Sequence, residues 1–214
     1  MFPGGPTLAR MRPSDAEIVR HHDDPPPEGR SPYVDGYRPP PFTVEIVEYD
    51  AAWPTAFEGL ARLIRSVLDD AVVVDLQHVG STAVPGLPAK PIMDIDLTVP
   101  DPTREETYVS ALESAGFRHV IREPWWHEHR VLKHESPAAH LHVFGPGSPE
   151  LVRHRMFRDW LIEHAQDRAT YAAAKRRAAL DSNRADGTMQ DYNALKEPVV
   201  REIYDRMFRA QGLL

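Results

Sequence analysis

The sequence predicts an α+β protein: a mixed β-sheet with helices packed against it and a C-terminal helical cap. Three observations carry that expectation. Apolar strands at 72–79 and 92–99 flank a glycine- and proline-rich loop, an amphipathic helix precedes them, and the chain after Ser148 is helical in character. With 214 residues, one domain with appendages has enough surface to bury a core.

Residues 1–41 stand apart. They hold 10 of the 21 prolines, including Pro25-Pro26-Pro27 and Pro39-Pro40-Pro41, with few large aliphatics. Such a segment buries too little to offset its ordering entropy, so a disordered proline-rich tail is expected. Within it, Ser14 and Glu17 are spaced as a capping box for a short helix to Arg20. The folded part is expected as a core over 42–147 and a helical region over 148–214.

Val44, Ile46 and Val47 suggest an extended entry. Pro54 suits the first turn of a helix reaching about Asp70, with Phe57, Leu60, Leu63 and Val67 at helical spacing. Strands follow over 72–79 and 92–99; the second is apolar on nearly both faces, as in a strand covered by helices. Thr103 and Glu106 are spaced as a second capping box for a helix to Ala115, and Gly116 suits a left-handed C-terminal position. Phe117–Ile121 reads as a strand. Arg130–Lys133 and His140–Phe144 read as an antiparallel pair after a loop with Trp125 and Trp126. Ser148-Pro149 opens helices over about 149–164, 167–183 and 189–209, with Pro198 kinking or restarting the last.

The composition excludes several functions. A formal charge of −7 leaves no broad basic face, so sequence-blind nucleic-acid binding is not expected. No cysteine is present, which removes disulfides and thiolate-bound zinc. No apolar run approaches the roughly 20 residues that span a bilayer, and no apolar leader opens the chain. A cytoplasmic location without a membrane partner is the expectation.

The chemistry concentrates at Gly80-Ser81-Thr82 and Asp94-Ile95-Asp96. Two carboxylates one residue apart project from the same face of a strand, which is costly without a cation between them. All-oxygen ligands suit Mg²⁺ or Mn²⁺. Backbone N–H groups at the Gly80-Ser81 turn suit phosphate oxygens, and Lys90 in the same loop adds a positive charge. Metal beside a phosphate cradle implies chemistry on a nucleoside triphosphate. His78 reads as a loop-orienting histidine, and the tryptophan loop as a packed hairpin rather than a base-stacking lid.

The run His78 to Leu87 with Lys90-Pro91-Ile92-Met93-Asp94 resembles the GrpB family, which is grouped with the nucleotidyltransferase-fold superfamily. The resemblance spans about Thr43 to Met207 and includes His140-Leu141-His142, Phe157 to Leu161, Tyr171, Lys175, Tyr192 and Lys196. It implies a nucleotidyltransferase-like fold in which Asp94 and Asp96 hold the metal and the Gly80-Ser81 turn contacts triphosphate. Lys175 and Lys196 are further phosphate candidates, with Arg130 and Arg153 behind them. The superfamily takes a third carboxylate from a later strand. Here that strand has His140 and His142 instead, and His142 is the expected stand-in as catalytic base. A nucleoside triphosphate and an unidentified acceptor are the implied partners, with a binding module lacking turnover, or a metal-dependent phosphohydrolase, as alternatives.

Overall fold

The structure, a computed structural model, describes residues 12–21, 27–39 and 43–214. Among these residues five strands form one mixed sheet, accompanied by six α-helices. The strands are β1 (Asp75–Val79), β2 (Met93–Thr98), β3 (Phe117–Glu123), β4 (His129–Glu135) and β5 (Ala138–Phe144), in spatial order β1-β2-β5-β4-β3. The β2–β5 pairing is parallel and every other pairing antiparallel. Chain order leaves β2 and β5 distant in sequence but adjacent at the centre of the sheet, and that adjacency builds the site.

The helices are α1 (Asp15–Val19), α2 (Trp53–Val67), α3 (Val109–Ser114), α4 (Pro149–Glu163), α5 (Ala165–Arg184) and α6 (Met189–Ala210). One face of the sheet is dry. Met93, Ile95 and Leu97 of β2 join Leu141 and Val143 of β5, and α2 and α3 cover them with Leu60, Ile64 and Leu112. Because side chains alternate along a strand, Asp94, Asp96, His140 and His142 project from the opposite face. The C-terminal helices lie over that face. An α+β fold with a C-terminal helical cap is thus what the chain adopts.

Local chemistry sets the boundaries. Val72 donates its backbone N–H to Asp69 O at 2.8 Å, so β1 starts at Asp75 rather than at Val72. The capping box expected at Thr103 and Glu106 does not form. Asp101 captures the Thr103 hydroxyl at 2.7 Å and Glu106 pairs with Arg104 at 3.0 Å, so a 3-10 turn (Glu105–Thr107) precedes a short α3. Ser148 caps α4 with Pro149 in its first turn, and Gly116 is left-handed at φ +93°. α6 does not restart at Pro198: one helix runs through it.

The proline-rich segment also takes part in the fold. The Ser14–Glu17 capping box is present, and its helix buries Ile18 completely against Tyr204, Met207 and Phe208 of α6. The buried Arg153 of α4 donates to the carbonyls of Ile18 (3.1 Å) and Arg20. Farther along, Tyr33 bridges Ile121 on the β3 edge, and Arg122 N–H donates to Pro32 O at 2.8 Å. A tail expected from composition therefore docks at two places. The triple prolines at 25–27 and 39–41 fall largely outside the described residues. Asn183 of α5 clips the entry strand, exchanging two 2.9 Å hydrogen bonds with the Val44 backbone.

Candidate functional site

A cavity of about 270 Å³ opens between the polar face of the sheet and the α5–α6 pair. Its floor is Asp94 of β2 with His140 and His142 of β5. Register explains the grouping: Asp94 is the Cα partner of His140, and Asp96 of His142, on adjacent parallel strands. The ring nitrogens His140 Nδ1 and His142 Nε2 each lie 3.6 Å from Asp94 Oδ1. One ligand atom from each of the three residues falls within 4.8 Å of the others, a span able to hold one metal ion. Burial pushes the Asp94 carboxyl up, but interaction with the His140 and His142 rings outweighs it and holds the group well below the usual carboxylate range.

Asp96 does not join them. It is 1% exposed and accepts from His154 Nδ1 of α4 at 3.0 and 3.1 Å. Burial depresses the His154 pKa, yet the adjacent Asp96 carboxylate and Glu150 more than reverse this, raising it to about 9. The Asp96 carboxylate, expected beside Asp94 as a metal ligand, is paired with His154 in this structure. His154 was not foreseen; the one signal for it is Glu150, four residues earlier on the same helix face.

The walls are positive. Lys90 from the loop, Lys175 of α5 and Lys196 of α6 all line the cavity, beside Ser81, Tyr171 and Tyr192. Lys90 Nζ approaches Met189 Sδ at 3.1 Å and lies 5.1 Å from the Tyr192 ring centroid, and burial lowers its pKa. Lys175 is the most unusual of the three. It is 2% exposed, its Nζ has no hydrogen-bond partner among the described residues, and it lies over the Tyr171 ring face at 4.6 Å. Burial, then the charge of Lys196, brings its pKa down to about 7.

Other predicted residues sit differently. Thr82 is buried and hydrogen-bonded to His78 Nε2 at 3.0 Å, outside the cavity lining. His78, stacked 4.8 Å from Phe57 and pushed down to about 4 by burial, holds the loop in its neutral form. Gly80 contacts Asp94 rather than the open space: it adopts φ +67° and ψ −166°, and a Cβ there would lie 2.9 Å from Asp94 Cβ. Gly80→Ala combines a backbone conformation almost restricted to glycine with this clash. It is expected to cost about 2–3 kcal/mol in urea denaturation and to displace the Asp94 carboxylate. Arg130 pairs with Glu105 and Glu128, and Arg153 holds the α1 segment, so neither reaches the cavity. Trp126 packs edge-on to His129 (4.8 Å) and Phe144 (5.9 Å), a packed turn as expected.

Comparison with known proteins identifies the lineage. The family described as GrpB protein matches residues 43–206, more than three quarters of the chain. The chain belongs to the GrpB family. A UPF0157 protein of Halalkalibacterium halodurans is 44% identical over 169 residues, covering 79% of this chain and 85% of that one. The crystal structure of the GrpB protein from Enterococcus faecalis superposes with a TM-score of 0.65 at 25% identity, covering 77% of this chain and 99% of that one. A dephospho-CoA kinase of Mycolicibacterium paratuberculosis is 31% identical over 191 residues, and the match spans 46% of that longer protein. The GrpB match contains the whole cavity, whereas α1 and the Tyr33 bridge lie before it.

Proposed function

We propose that the cavity binds a nucleoside triphosphate with one divalent cation and transfers its nucleotidyl group to a separate acceptor. The observation that carries this reading is Lys175: a buried amino group without a hydrogen-bond partner among the described residues, facing a cavity that also holds Lys90 and Lys196. An unpaired buried charge is costly unless a ligand supplies the counter-charge. Three lysines opposite a carboxylate–imidazole cluster fit a polyphosphate better than a neutral ligand.

The donor set suits a cation: one carboxylate for charge and two imidazole nitrogens for affinity. Asp94, His140 and His142 would hold Mg²⁺ or Mn²⁺, which when bound supplies neutralisation of phosphate charge. Lys90, Lys175 and Lys196 bind the phosphate oxygens, and Ser81 at the turn orients them. An acceptor oxygen then attacks the α-phosphorus while the bond to pyrophosphate breaks. The acceptor's proton passes to solvent, since His142, the expected base, is committed to the cation through its Nε2. The name of the mycobacterial relative, a dephospho-CoA kinase, is in keeping with a phosphorylated ligand. A cytoplasmic setting, where triphosphates are supplied, belongs to the same proposal. Among the described residues no helix is long and apolar enough to cross a membrane.

A second reading, binding without turnover, is favoured by the Asp96–His154 pair. It occupies the carboxylate that a second cation would need, leaving a one-ion site. Calorimetric titration of each nucleoside triphosphate with Mg²⁺ or Mn²⁺, coupled to pyrophosphate detection, separates the two. Binding with pyrophosphate release, both lost in Asp94→Ala, is expected for the transferase. Binding alone supports the module, and no binding by the wild type removes both.

A further inference from the structure

Behind His142 lies a second layer of polar groups with no role so far. Glu123, the last residue of β3, places Oε2 2.8 Å from His129 Nδ1. His129, the first residue of β4, places Nε2 3.1 Å from His142 Nδ1. The chain reverses between them through Trp125–Glu128, with backbone bonds from Trp126 N–H to Glu123 O (3.1 Å) and His129 N–H to Trp126 O (3.0 Å). His127 and Glu128 are both left-handed there, φ +52° and +51°. His129 is 4% exposed, stacked at 4.5 Å on Phe144 and at 5.3 Å on His142.

The direction of the hydrogen bonds follows from donor inventory. An ionised carboxylate only accepts, so His129 Nδ1 carries the proton. With a cation held at His142 Nε2, that ring keeps its one proton on Nδ1, 3.1 Å from His129 Nε2, which is left to accept. His142 Nδ1 must then donate. That leaves His142 Nε2 with its lone pair aimed at Asp94 Oδ1, 3.6 Å away. A cation lying between the two would bind both. The gap is too long for a hydrogen bond. It is close to the roughly 3.0–3.4 Å that separates two ligand atoms each about 2.1 Å from one metal ion.

We propose that Glu123 and His129 are positioning residues that lock His142 with Nε2 toward the cavity, making Asp94, His140 and His142 a transition-metal site, for Mn²⁺, Fe²⁺ or Zn²⁺, in preference to Mg²⁺. The inference rests on the metal-binding part of the function proposed above. Carboxylate–histidine–metal relays orient the ligand ring and raise its basicity. Two imidazoles among three protein ligands favour the softer, later first-row ions over magnesium, which prefers oxygen. The all-oxygen site expected from Asp94 and Asp96 would have had the opposite preference. It is the β2–β5 register and the Asp96–His154 pair that change the donor set.

The test uses the full chain, stripped with a chelator. Co²⁺ is the optical probe, and Mn²⁺ and Mg²⁺ are followed by calorimetry. The wild type is expected to bind Co²⁺ and Mn²⁺ at least about 10-fold more tightly than Mg²⁺. Glu123→Gln and His129→Phe, which preserve volume and stacking, are expected to weaken Co²⁺ about 10–100-fold. Imidazole ¹⁵N shifts supply a readout that a purely structural role would not move. In the metal-free wild type His142 is expected to be protonated at Nδ1, and in His129→Phe to become a mixture of tautomers. Equal Co²⁺ affinity in wild type and Glu123→Gln, or His142 protonated at Nε2 alone, overturns the relay while leaving nucleotide binding untouched. Preference for Mg²⁺ overturns the metal class alone. Binding of no metal by the wild type overturns the inference and the metal-dependent function beneath it.

Discussion

Lys175→Met is expected to make the protein more stable and, on the function proposed above, to weaken triphosphate binding in one step. Lys175 Nζ is buried without a hydrogen-bond partner, so its charge is a cost in the empty fold. Methionine fills similar space without charge, and exchanges of this kind are worth about 1–3 kcal/mol of stability, or about 2–10 °C in melting temperature at this size. The same change should weaken triphosphate binding by about 10-fold or more, since a charge-assisted contact is worth roughly 1.5–3 kcal/mol. The sign in pH is set by the lowered pKa. Between about 7 in the fold and 10.5 in the unfolded chain, the unfolded state holds the extra proton. Wild-type stability therefore gains from this group as pH rises through that window, and the variant lacks the gain. Urea denaturation at pH 7 and 9.5 checks both; equal stability of wild type and variant at pH 7 would refute the claim that the buried charge is unpaired.

His154→Ala should act in the opposite direction, costing about 3–5 kcal/mol at pH 6 by leaving Asp96, 1% exposed, without its partner. Here the folded pKa, about 9, lies above the 6.5 of a free imidazole. The stabilisation is complete below pH 6.5 and disappears as pH rises through 9. The penalty of the substitution should therefore shrink in denaturation curves taken at pH 9.5. In the wild type the His154 loss and the Lys175 gain overlap between pH 7 and 9, so each is visible only against the other's variant. A His154→Ala penalty that stayed constant from pH 6 to 9.5 would show that no imidazolium is held there.

What the sequence made legible is mostly what a single segment encodes. The period-2 pattern of Met93–Thr98 set Asp94 and Asp96 on one face, the His140-Leu141-His142 alternation did the same for the histidines, and the Ser14–Glu17 spacing marked α1. Partners from distant segments left no such trace. His154 meets Asp96 across 58 positions of sequence, and only folding brings α4 over β2. His129 fell in what looked like a loop, because its role depends on β4 beginning there and on Phe144 stacking against it. Composition judged the proline-rich segment as a whole, whereas its docking relies on Ile18, the carbonyls of Ile18 and Arg20, and the Tyr33 bridge to the β3 edge.

That docking has a practical corollary for anyone cutting the gene by homology. A clone begun at Thr43, where the GrpB match starts, would strip the cover from Tyr204, Met207 and Phe208 and leave the Arg153 guanidinium in an apolar trough without its carbonyls. Such a fragment would present a sticky flank of its own making, and self-association measured on it would describe the missing residues rather than the protein.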